Sequence, residues 1–546
     1  MRSRYLLFFA LSSLLLSARS APQVTIGQTT LSGRDIQPLG VDFFGGIPYA
    51  EAPVGDRRFK SPVLRTRLAS GTLEAAEYGK ACLQPGNPAG MSEDCLTINI
   101  YRPAGISSKA KLPVMFWTYG GGFIVGSSAR FNGSHLVAYS VERGTPIIYV
   151  NFNYRLGALG YPQGQEAEDK RHINLALQDQ IAALEWVQEN IHHFGGDKRK
   201  VTAFGESAGA MMTSILSVNR KLDKLARAAI FQSGSANSPN VYRASRRESL
   251  WQTFVSRVPS CSALASSGNT FDCLRNANSS EIHGAMLASL AGAGEMFPWN
   301  PVLDTRKDGL YPDLVSKQYA SGRFSKIPYI AGTNLDEGTF FASKSPNSTE
   351  GTIRGALTAA YSPSRVSASA LDVAINRLFQ LYPDSPSLGA PYGSGDELFG
   401  LPPAYKRDSA LQGDLTIDAP RRMWTEAAAQ AGVKGYGYLF TQRLQIRDPA
   451  LGVNHTAEIP FVYGQSQDPA PSTQTLSKRM MDYWISFVVN LDPNDKKGSQ
   501  RPNWPQYTTR SKNLLQLNGE DTKVIKDDFR LAEIGFINEN AVLFHH

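Results

Sequence analysis

The stretch Thr202-Ala-Phe-Gly-Glu-Ser-Ala-Gly-Ala-Met211 decides the fold that we expect of this chain. Residues 201–204 are predicted to end a buried strand, 205–209 form a G-x-S-x-G turn, and 210–218 are predicted to form a helix. A serine at such a corner, a nucleophile elbow, is held in a strained backbone conformation. Bulky side chains two residues before or after Ser207 would collide with their surroundings, which explains the glycine at each end of the turn.

Apolar runs suited to strands that are covered on both faces recur along the chain. They span residues 113–119, 146–152, 201–204, 228–231, 327–331 and 436–440. Residues 174–194 have helical spacing, and 24–33 and 41–47 alternate as an antiparallel edge would. The pattern predicts an α/β fold with a central, mostly parallel sheet flanked by helices, whose ligands bind beyond the carboxyl ends of the strands. The less regular residues 235–325 and 340–430 are interpreted as helical excursions that wall a pocket.

The N-terminus has the pattern of a secretory signal peptide. Met1–Arg4 is basic, Leu6–Leu16 is an apolar core, and Ala18-Arg-Ser20 offers small residues for cleavage before Ala21. The apolar core is shorter than the roughly 20 residues that a membrane span needs. We therefore expect residues 1–20 to be removed and residues 21–546 to form a single domain, secreted and without a stable membrane anchor.

Composition excludes several other classes of protein. The formal charge of +8 comes from 56 basic and 48 acidic residues spread along the chain, with no run that would bind nucleic acid. The histidines lack ligand spacing with cysteines or carboxylates, so no metal site is expected. The glycines of Tyr119-Gly-Gly-Gly-Phe123 lack the spacing of a dinucleotide fingerprint, and no cofactor is predicted. No oligomeric state is predicted.

Cysteines and glycosylation sequons fit an exported protein. Four cysteines allow three pairings, of which the local choice is Cys82–Cys95 with Cys261–Cys273. The sequons begin at Asn132, Asn278, Asn347 and Asn454. Asn454 is the weakest glycosylation candidate because it adjoins a candidate active-site histidine.

A nucleophilic serine needs a base, and His455 is the best-placed histidine. It follows the 436–440 strand, where the base falls when the order along the chain is serine, acid, histidine. For the other histidines the sequence indicates ordinary structural positions rather than a catalytic role. Those at 545 and 546 are expected at a frayed terminus, those at 192 and 193 at a solvated helix end, and those at 135, 172 and 283 in polar surroundings without a partner motif.

The acid and the oxyanion donors should also follow strands. Asp336 and Glu337 follow the 327–331 strand, and position alone does not choose between them. The glycines of Tyr119-Gly-Gly-Gly-Phe123 follow another strand and let the backbone approach a substrate closely. The N–H of Ala208, next after the serine, would complete an oxyanion hole.

Together these pieces resemble the type-B carboxylesterases of the α/β-hydrolase fold, a group that includes fungal lipases and the cholinesterases. The resemblance runs from about residue 24 to about residue 507. Its carriers are Phe44-Gly-Gly-Ile-Pro-Tyr-Ala50, Glu93-Asp-Cys-Leu-Thr-Ile-Asn-Ile-Tyr101, Tyr119-Gly-Gly-Gly-Phe123, Asn153-Tyr-Arg-Leu-Gly157, Phe194-Gly-Gly-Asp197, Gly205-Glu-Ser-Ala-Gly209, Phe231-Gln-Ser-Gly234, Asp336-Glu-Gly338 and His455 with Pro460-Phe-Val-Tyr-Gly464.

The resemblance implies a role for each matching residue. It makes Ser207 the nucleophile, Glu337 rather than Asp336 the acid, and His455 the base of a secreted serine carboxylesterase that forms an acyl-enzyme. It places the oxyanion hole at Gly121, Gly122 and Ala208. The family's two short disulfides fall on Cys82–Cys95 and Cys261–Cys273, in agreement with the local pairing.

Differences between this sequence and those of the fungal lipases and cholinesterases narrow the range of substrates that we expect. The lid loop of the fungal lipases lies between the first two cysteines, but here only Leu83–Asp94 lies there, too short to cover a wide acyl tunnel. The same loop lacks the tryptophan that holds choline by a cation–π interaction in cholinesterases. An esterase of soluble or partly soluble small-molecule esters is therefore expected. The alternatives are a triacylglycerol lipase with a short lid and a catalytically silent binding protein of this fold. Candidates for an acyl pocket are Met286, Met296, Phe297 and Trp299, and ordinary packing is an equal alternative for them.

Overall fold

A computed structural model of the chain describes residues 20–65, 67–291 and 293–546. The predicted signal peptide, apart from Ser20, lies outside these residues. The strands of the described residues are β1 (Gln23–Ile26), β2 (Thr29–Ser32), β3 (Arg34–Ile36), β4 (Val41–Pro48), β5 (Gly71–Glu74), β6 (Ala81–Cys82), β7 (Met91–Ser92), β8 (Thr97–Pro103), β9 (Leu112–Thr118), β10 (Ile148–Phe152), β11 (Gly196–Glu206), β12 (Ala228–Gln232), β13 (Tyr329–Asn334), β14 (Gly435–Phe440), β15 (Asn513–Leu517) and β16 (Lys523–Lys526).

The α-helices of the described residues lie between and after these strands. They are α1 (Ser134–Glu142), α2 (Gly157–Gly160), α3 (Gln165–Asp169), α4 (Leu175–Asn190), α5 (Ala208–Val218), α6 (Glu248–Ser256), α7 (Phe271–Asn276), α8 (Ser279–Leu290), α9 (Val315–Ala320), α10 (Glu350–Ala360), α11 (Ala368–Leu381), α12 (Ala404–Gly413), α13 (Ala419–Gln430), α14 (Ile459–Val462), α15 (Pro471–Asn490) and α16 (Leu531–Glu539). One π-helical turn, Asp414–Asp418, joins α12 to α13.

The core is an 11-stranded sheet in the order β16-β15-β14-β13-β12-β11-β9-β10-β8-β4-β3. The strands from β10 through β15 and their neighbour β9 pair in parallel, and the strands at both ends are antiparallel. The central strands are buried throughout, as the continuous apolar runs predict. The sheet with helices around it confirms the α/β-hydrolase fold.

Some elements differ from the sequence-based expectation. Residues 24–33 form a hairpin of β1 and β2 in a separate 3-stranded sheet with β5, rather than an edge of the main sheet. Both excursions contain helices: α6–α9 lie within residues 235–325, and α10–α13 lie within residues 340–430. The 20-residue helix α15 was not predicted. Its middle and C-terminal half are buried nearly all round, which removes the polar–apolar periodicity on which helix prediction relies.

The turn from β11 into α5 fixes the centre of the fold. Ser207 has φ 55° and ψ −129°, a conformation that few residues other than glycine adopt. The backbone closes so tightly that a Cβ at Gly205 would lie 2.7 Å from the carbonyl carbon of Gly209. A Cβ at Gly209 would overlap the carbonyl group of Thr118 at the end of β9. Only glycines at 205 and 209 let α5 start directly beside β9.

This packing predicts that Gly209→Ala destabilises the protein by about 3 kcal/mol or more, because backbone rather than a flexible side chain obstructs the new methyl group. The matched control is Gly284→Ala, in the exposed face of α8, where a Cβ meets nothing within 4 Å. That control should stabilise the helix by about 0.5–1 kcal/mol. Thermal unfolding of both variants measures the difference, and equal melting temperatures would contradict it.

Candidate active site

Ser207 lies at the N-terminus of α5, at the carboxyl end of the central strand β11. Its side chain is almost buried, with 5% of the residue exposed. Its N–H donates to the carbonyl oxygen of Gln232 (2.9 Å), and its carbonyl oxygen accepts from the N–H of Met211 (2.9 Å). The backbone on both sides of the hydroxyl is thus held by hydrogen bonds, so the strained conformation is maintained.

His455 and Glu337 are brought together across 118 residues of sequence. His455 lies in the loop between β14 and α14, and Glu337 begins a short 3₁₀ turn after β13. The Nδ1 atom of His455 lies 2.6 Å from Oε2 of Glu337. The other carboxylate oxygen of Glu337 accepts the backbone N–H of Asn334 at 2.7 Å. Both side chains are buried, so the imidazole is held in one orientation.

Asp336, the alternative that position left open, points elsewhere. Its carboxylate accepts the backbone N–H groups of Tyr392 (2.7 Å) and Val453 (2.8 Å). The backbone N–H of Asp336 also donates to the carbonyl oxygen of Val453 at 3.0 Å. Asp336 therefore fixes the loop that carries His455, while Glu337 contacts the imidazole itself.

The Nε2 atom of His455 makes no hydrogen bond within the described chain. It lies 3.2 Å from Oε1 of Glu206, the residue just before Ser207. Burial lowers the pKa of His455, but the neighbouring carboxyl groups of Glu206 and Glu337 outweigh this effect and raise that pKa to about 9. Burial also raises the pKa of Glu206 itself well above its usual value. The proximity of Glu206 to His455 was not predicted from the sequence. Its position inside the G-x-S-x-G motif, directly before Ser207, could have indicated it.

Backbone donors converge at the same edge of the sheet. Gly121 and Gly122 follow β9 with φ of 110° and 61°, and a Cβ at Gly121 would overlap the carbonyl oxygen of Val125. Ala208 is the first residue of α5, where helix geometry leaves N–H groups without partners. Among the described residues, no hydrogen bond uses the N–H groups of Gly121, Gly122 or Ala208. These three donors are available to an oxyanion.

The loop after β9, residues 119–126, is the glycine loop of this site. Gln84, from the short loop that begins at Cys82, holds it in place. The Gln84 amide donates to the carbonyl oxygen of Gly126 (2.7 Å) and accepts the N–H of Gly126 (2.8 Å). The backbone oxygen of Gln84 lies 2.8 Å from Nε2 of His283 on α8. Nothing in the sequence signals this contact, because Gln84 and Gly126 are 42 residues apart.

The structure joins Cys82 to Cys95 and Cys261 to Cys273, with Cα atoms 5.1 and 5.8 Å apart. Within the described residues no group of histidines, cysteines and carboxylates is arranged to hold a metal ion. No helix there is long and apolar enough to cross a membrane.

One expectation about histidines is wrong. The C-terminal pair is buried rather than frayed: the carbonyl oxygen of His545 accepts the N–H of Val241 (3.1 Å), and that of His546 accepts the hydroxyl of Ser316 (2.7 Å). His283 is buried, and its ring contacts the polar backbone oxygen of Gln84.

The sequons divide into exposed and buried sites. Asn132, Asn278 and Asn347 are exposed and stay candidates for glycosylation. Asn454 is only 3% exposed. Its amide donates to the carbonyl oxygen of His455 (2.7 Å) and accepts from Arg447 (2.8 Å). No room remains for a glycan, so Asn454 is withdrawn as a candidate.

A cavity of about 620 Å³ opens beside the site. Phe297 and Phe341 line it, and the Phe341 ring lies 4.9 Å from the His455 ring. Met296 also lines it, as the sequence suggested. Trp299 is instead packed on the aromatic core around Phe254 (5.9 Å), and the buried Met286 does not line the cavity, so ordinary packing accounts for both.

Known proteins are similar to this chain over most of its length. The model of the carboxylesterase family matches residues 20–536. Lipase 1 of Geotrichum candidum is 35% identical, with 96% of this chain and 97% of that protein covered. The secreted triacylglycerol lipase LIP1 of Gibberella zeae is 32% identical, with 92% and 87% covered. The crystal structure of Aspergillus niger EstA matches with a TM-score of 0.82 at 26% identity, covering 96% of this chain and 99% of EstA.

The Glu206–His455 contact predicts how the reactivity of Ser207 depends on pH. A neutral imidazole is needed to take the serine proton, so reaction with a fluorophosphonate should rise with pH as His455 loses its proton. Glu206→Gln removes a negative charge that favours the imidazolium, so the pKa of His455 should fall. The midpoint of labelling should then move to lower pH by about one unit.

Rates of fluorophosphonate labelling between pH 5 and 10 measure this midpoint. Glu185→Gln, on the exposed face of α4, is the matched control and should leave the midpoint unchanged. A midpoint that stays in place, or moves to higher pH, in Glu206→Gln would show that this carboxylate does not govern the imidazole.

Proposed function

Because the chain belongs to the carboxylesterase family of ester hydrolases, we propose that it is a secreted serine carboxylesterase acting through Ser207, His455 and Glu337. The observation that carries the proposal is the 2.6 Å contact between Oε2 of Glu337 and Nδ1 of His455, whose other ring nitrogen, Nε2, makes no hydrogen bond within the described residues. A carboxylate that binds one ring nitrogen of a histidine selects the tautomer in which the other nitrogen can accept a proton.

The reaction follows from these groups. The Ser207 hydroxyl attacks the ester carbonyl carbon while Nε2 of His455 takes its proton. The N–H groups of Gly121, Gly122 and Ala208 stabilise the oxyanion that forms. When the tetrahedral intermediate collapses, the C–O bond to the alcohol breaks and His455 returns the proton to the leaving oxygen. Water then attacks the acyl-enzyme by the same steps, and the carboxylic acid is released.

Secretion forms part of the proposal. Residues 1–20 would be removed as a signal peptide, leaving residues 21–546 as one domain. Two disulfides suit an oxidising compartment, three sequons are exposed, and one relative carries the word secreted in its name.

Activity on soluble esters is proposed over lipase activity because of the Cys82–Cys95 loop. Gln84 holds this loop on the glycine loop through two hydrogen bonds to Gly126, and a disulfide closes its ends. These contacts anchor the start of the loop and hold its two ends together, which disfavours a large opening movement at a lipid surface. A lipase with a short lid remains the second candidate because two of the compared relatives are named lipases. A catalytically silent binding protein is disfavoured because the serine, acid and histidine are all present.

Replacing the nucleophile tests the mechanism. Ser207→Ala should lower kcat on p-nitrophenyl butyrate by at least about 10³-fold and abolish fluorophosphonate labelling, because no other group forms the acyl-enzyme. Ser217→Ala, a buried serine at the far end of α5, is the matched control and should keep both activities. Labelling that persists in Ser207→Ala would refute the assignment of the nucleophile.

The choice between esterase and lipase has its own test. Hydrolysis of tributyrin should rise smoothly with concentration, with no jump in rate where the solution becomes an emulsion. Emulsified triolein should be hydrolysed at least about tenfold more slowly than p-nitrophenyl butyrate, since a fixed loop gives no activation by an interface. A sharp increase at the emulsion, with rapid triolein hydrolysis, would favour the lipase.

A further inference from the structure

The amino ends of five parallel strands meet at the edge of the sheet that lies opposite the active site. Strands β9, β11, β12, β13 and β14 are neighbours and run in the same direction. The residues at or just before the start of these strands are rich in lysine and arginine. We call them the basic edge, which consists of residues 109–111, 197–200, 220–227, 323–326 and 434.

The basic edge accounts for the positive charge of the whole protein. It contains twelve of the 56 Lys and Arg residues of the chain but only two of the 48 Asp and Glu residues. The rest of the chain is therefore close to neutral, although the formal net charge is +8. In the sequence these cations form five short groups that are far apart, and the parallel pairing of the strands brings them to one side of the molecule.

Direct contacts join neighbouring groups of the basic edge. The Nζ atom of Lys200 donates to the carbonyl oxygen of Lys111 at 3.4 Å, which links the start of β11 to the start of β9. The side-chain amide of Gln188 donates to the carbonyl oxygens of Lys198 and Leu225, both at 2.9 Å. That amide links the start of β11 to the segment that leads into β12. The groups therefore form one continuous surface.

The surface continues towards β13 and concentrates charge over a short distance. Burial and the positive charge of Arg220 lower the pKa of Lys326, so these two cations lie close together. Adjacent strands are about 4.8 Å apart, so the row from β9 to β14 is roughly 19 Å long. At physiological salt a charge acts over about 8 Å, so neighbouring cations of the row reinforce one another.

Most of these cations keep their charge available to a partner. Asp197 and Asp223, the two carboxylates of the basic edge, pair with lysine or arginine side chains of the edge itself. Lys434 pairs with Asp492. Six lysines of the basic edge are exposed and make no ion pair with a carboxylate in the part of the chain that the structure describes: Lys109, Lys111, Lys198, Lys221, Lys224 and Lys326.

The chemistry of the surface distinguishes between classes of anionic partner. None of the large apolar side chains that are exposed among the described residues lies in the basic edge, so it offers nothing to insert into a lipid bilayer. Lysine is depleted from protein–protein interfaces. Its ammonium group is a point charge that needs no fixed geometry in its partner, whereas arginine binds phosphates in a fixed fork. These properties suit a flexible chain of acidic sugars.

We propose that the basic edge binds an anionic polysaccharide outside the cell and holds the enzyme on it. The choice of an extracellular polymer rests on the proposed secretion, and the binding goes beyond the proposed hydrolysis of esters. Ser207 lies at the other end of β11, roughly 20 Å from Lys200, so the bound enzyme keeps its active site open to substrate. None of the three exposed sequons lies in the basic edge, so glycans attached there would leave it uncovered.

Binding to an immobilised polymer tests the proposal. The mature full-length enzyme is mixed with polygalacturonate coupled to agarose, and agarose that carries dextran is the uncharged control. The enzyme should bind polygalacturonate alone, and Kd should rise at least about tenfold between about 50 and about 300 mM NaCl because salt screens the lysines. The bound enzyme should hydrolyse p-nitrophenyl butyrate with kcat within about twofold of that of the free enzyme.

Two variants of equal charge assign the binding to the basic edge. The edge variant combines Lys111→Gln, Lys198→Gln and Lys224→Gln. The control variant combines Lys80→Gln, Lys344→Gln and Lys478→Gln, which are also exposed and without an ion pair among the described residues. The edge variant should raise Kd at least about fivefold at low salt, whereas the control variant should raise it less than about twofold. Both should keep the ester hydrolysis and melting temperature of the wild type.

Several results would overturn the proposal. They are an equal loss of binding in the two variants, no binding to polygalacturonate, and tighter binding to phosphatidylglycerol vesicles or to a short DNA duplex at the same salt concentration. Absence of the protein with an N-terminus at Ala21 from the culture medium would overturn the choice of an extracellular partner.

Failure of this proposal and failure of the proposed function are distinguishable. Ser207→Ala should bind the polymer as the wild type does, because the basic edge takes no part in the reaction. If esters are hydrolysed and no polymer is bound, the basic edge is not a binding surface and the esterase stands. If the polymer is bound through the basic edge and no ester is hydrolysed, the esterase function fails and this proposal stands.

Discussion

The close approach of α5 to β9 is the constraint on which the site depends. Only hydrogen atoms fit at Gly205 and Gly209, and this lets the backbone turn at Ser207 with φ 55°. The same turn places the first N–H of α5 beside the glycines that follow β9. One steric requirement therefore positions both the serine and the N–H groups proposed as oxyanion donors, which follow the neighbouring parallel strands β9 and β11. The strain at the serine is offset by the packing of a fully buried helix against the central strands.

The neighbouring carboxylates of Asp336 and Glu337 make different contacts in the site. Asp336 binds backbone N–H groups of two loops, and Glu337 binds the imidazole of His455. The histidine loop is thus held by a residue that never touches the histidine. Glu206 adds a third carboxyl group near Nε2, which in the proposed reaction would favour the imidazolium formed when the serine gives up its proton. Glu206 and Glu337 thus each lie beside one nitrogen of the same buried ring, and burial raises the pKa of Glu206 well above its usual value.

Much of this was predictable from sequence, and the parts that were not have physical reasons. Parallel strands read as continuous apolar runs because both faces are covered, and β9, β10, β11, β12, β13 and β14 were found in this way. The helix α15 was missed because burial nearly all round removes its amphipathic pattern. The contact between Gln84 and Gly126 was not found because the two residues are 42 positions apart in sequence. Position alone could not separate Asp336 from Glu337, because the direction in which each side chain points is set by the folded loop.

The buried C-terminus has a practical consequence for handling the protein. The carbonyl oxygens of His545 and His546 are hydrogen-bonded to Val241 and Ser316, and the His545 ring stacks 4.1 Å from Tyr242. These contacts tie the end of the chain to the excursion that carries residues 235–325. A purification tag appended after His546 would begin inside this packed region and would have to displace the final residues. An affinity tag is therefore better inserted between the proposed cleavage site and β1, where Ala21 is exposed.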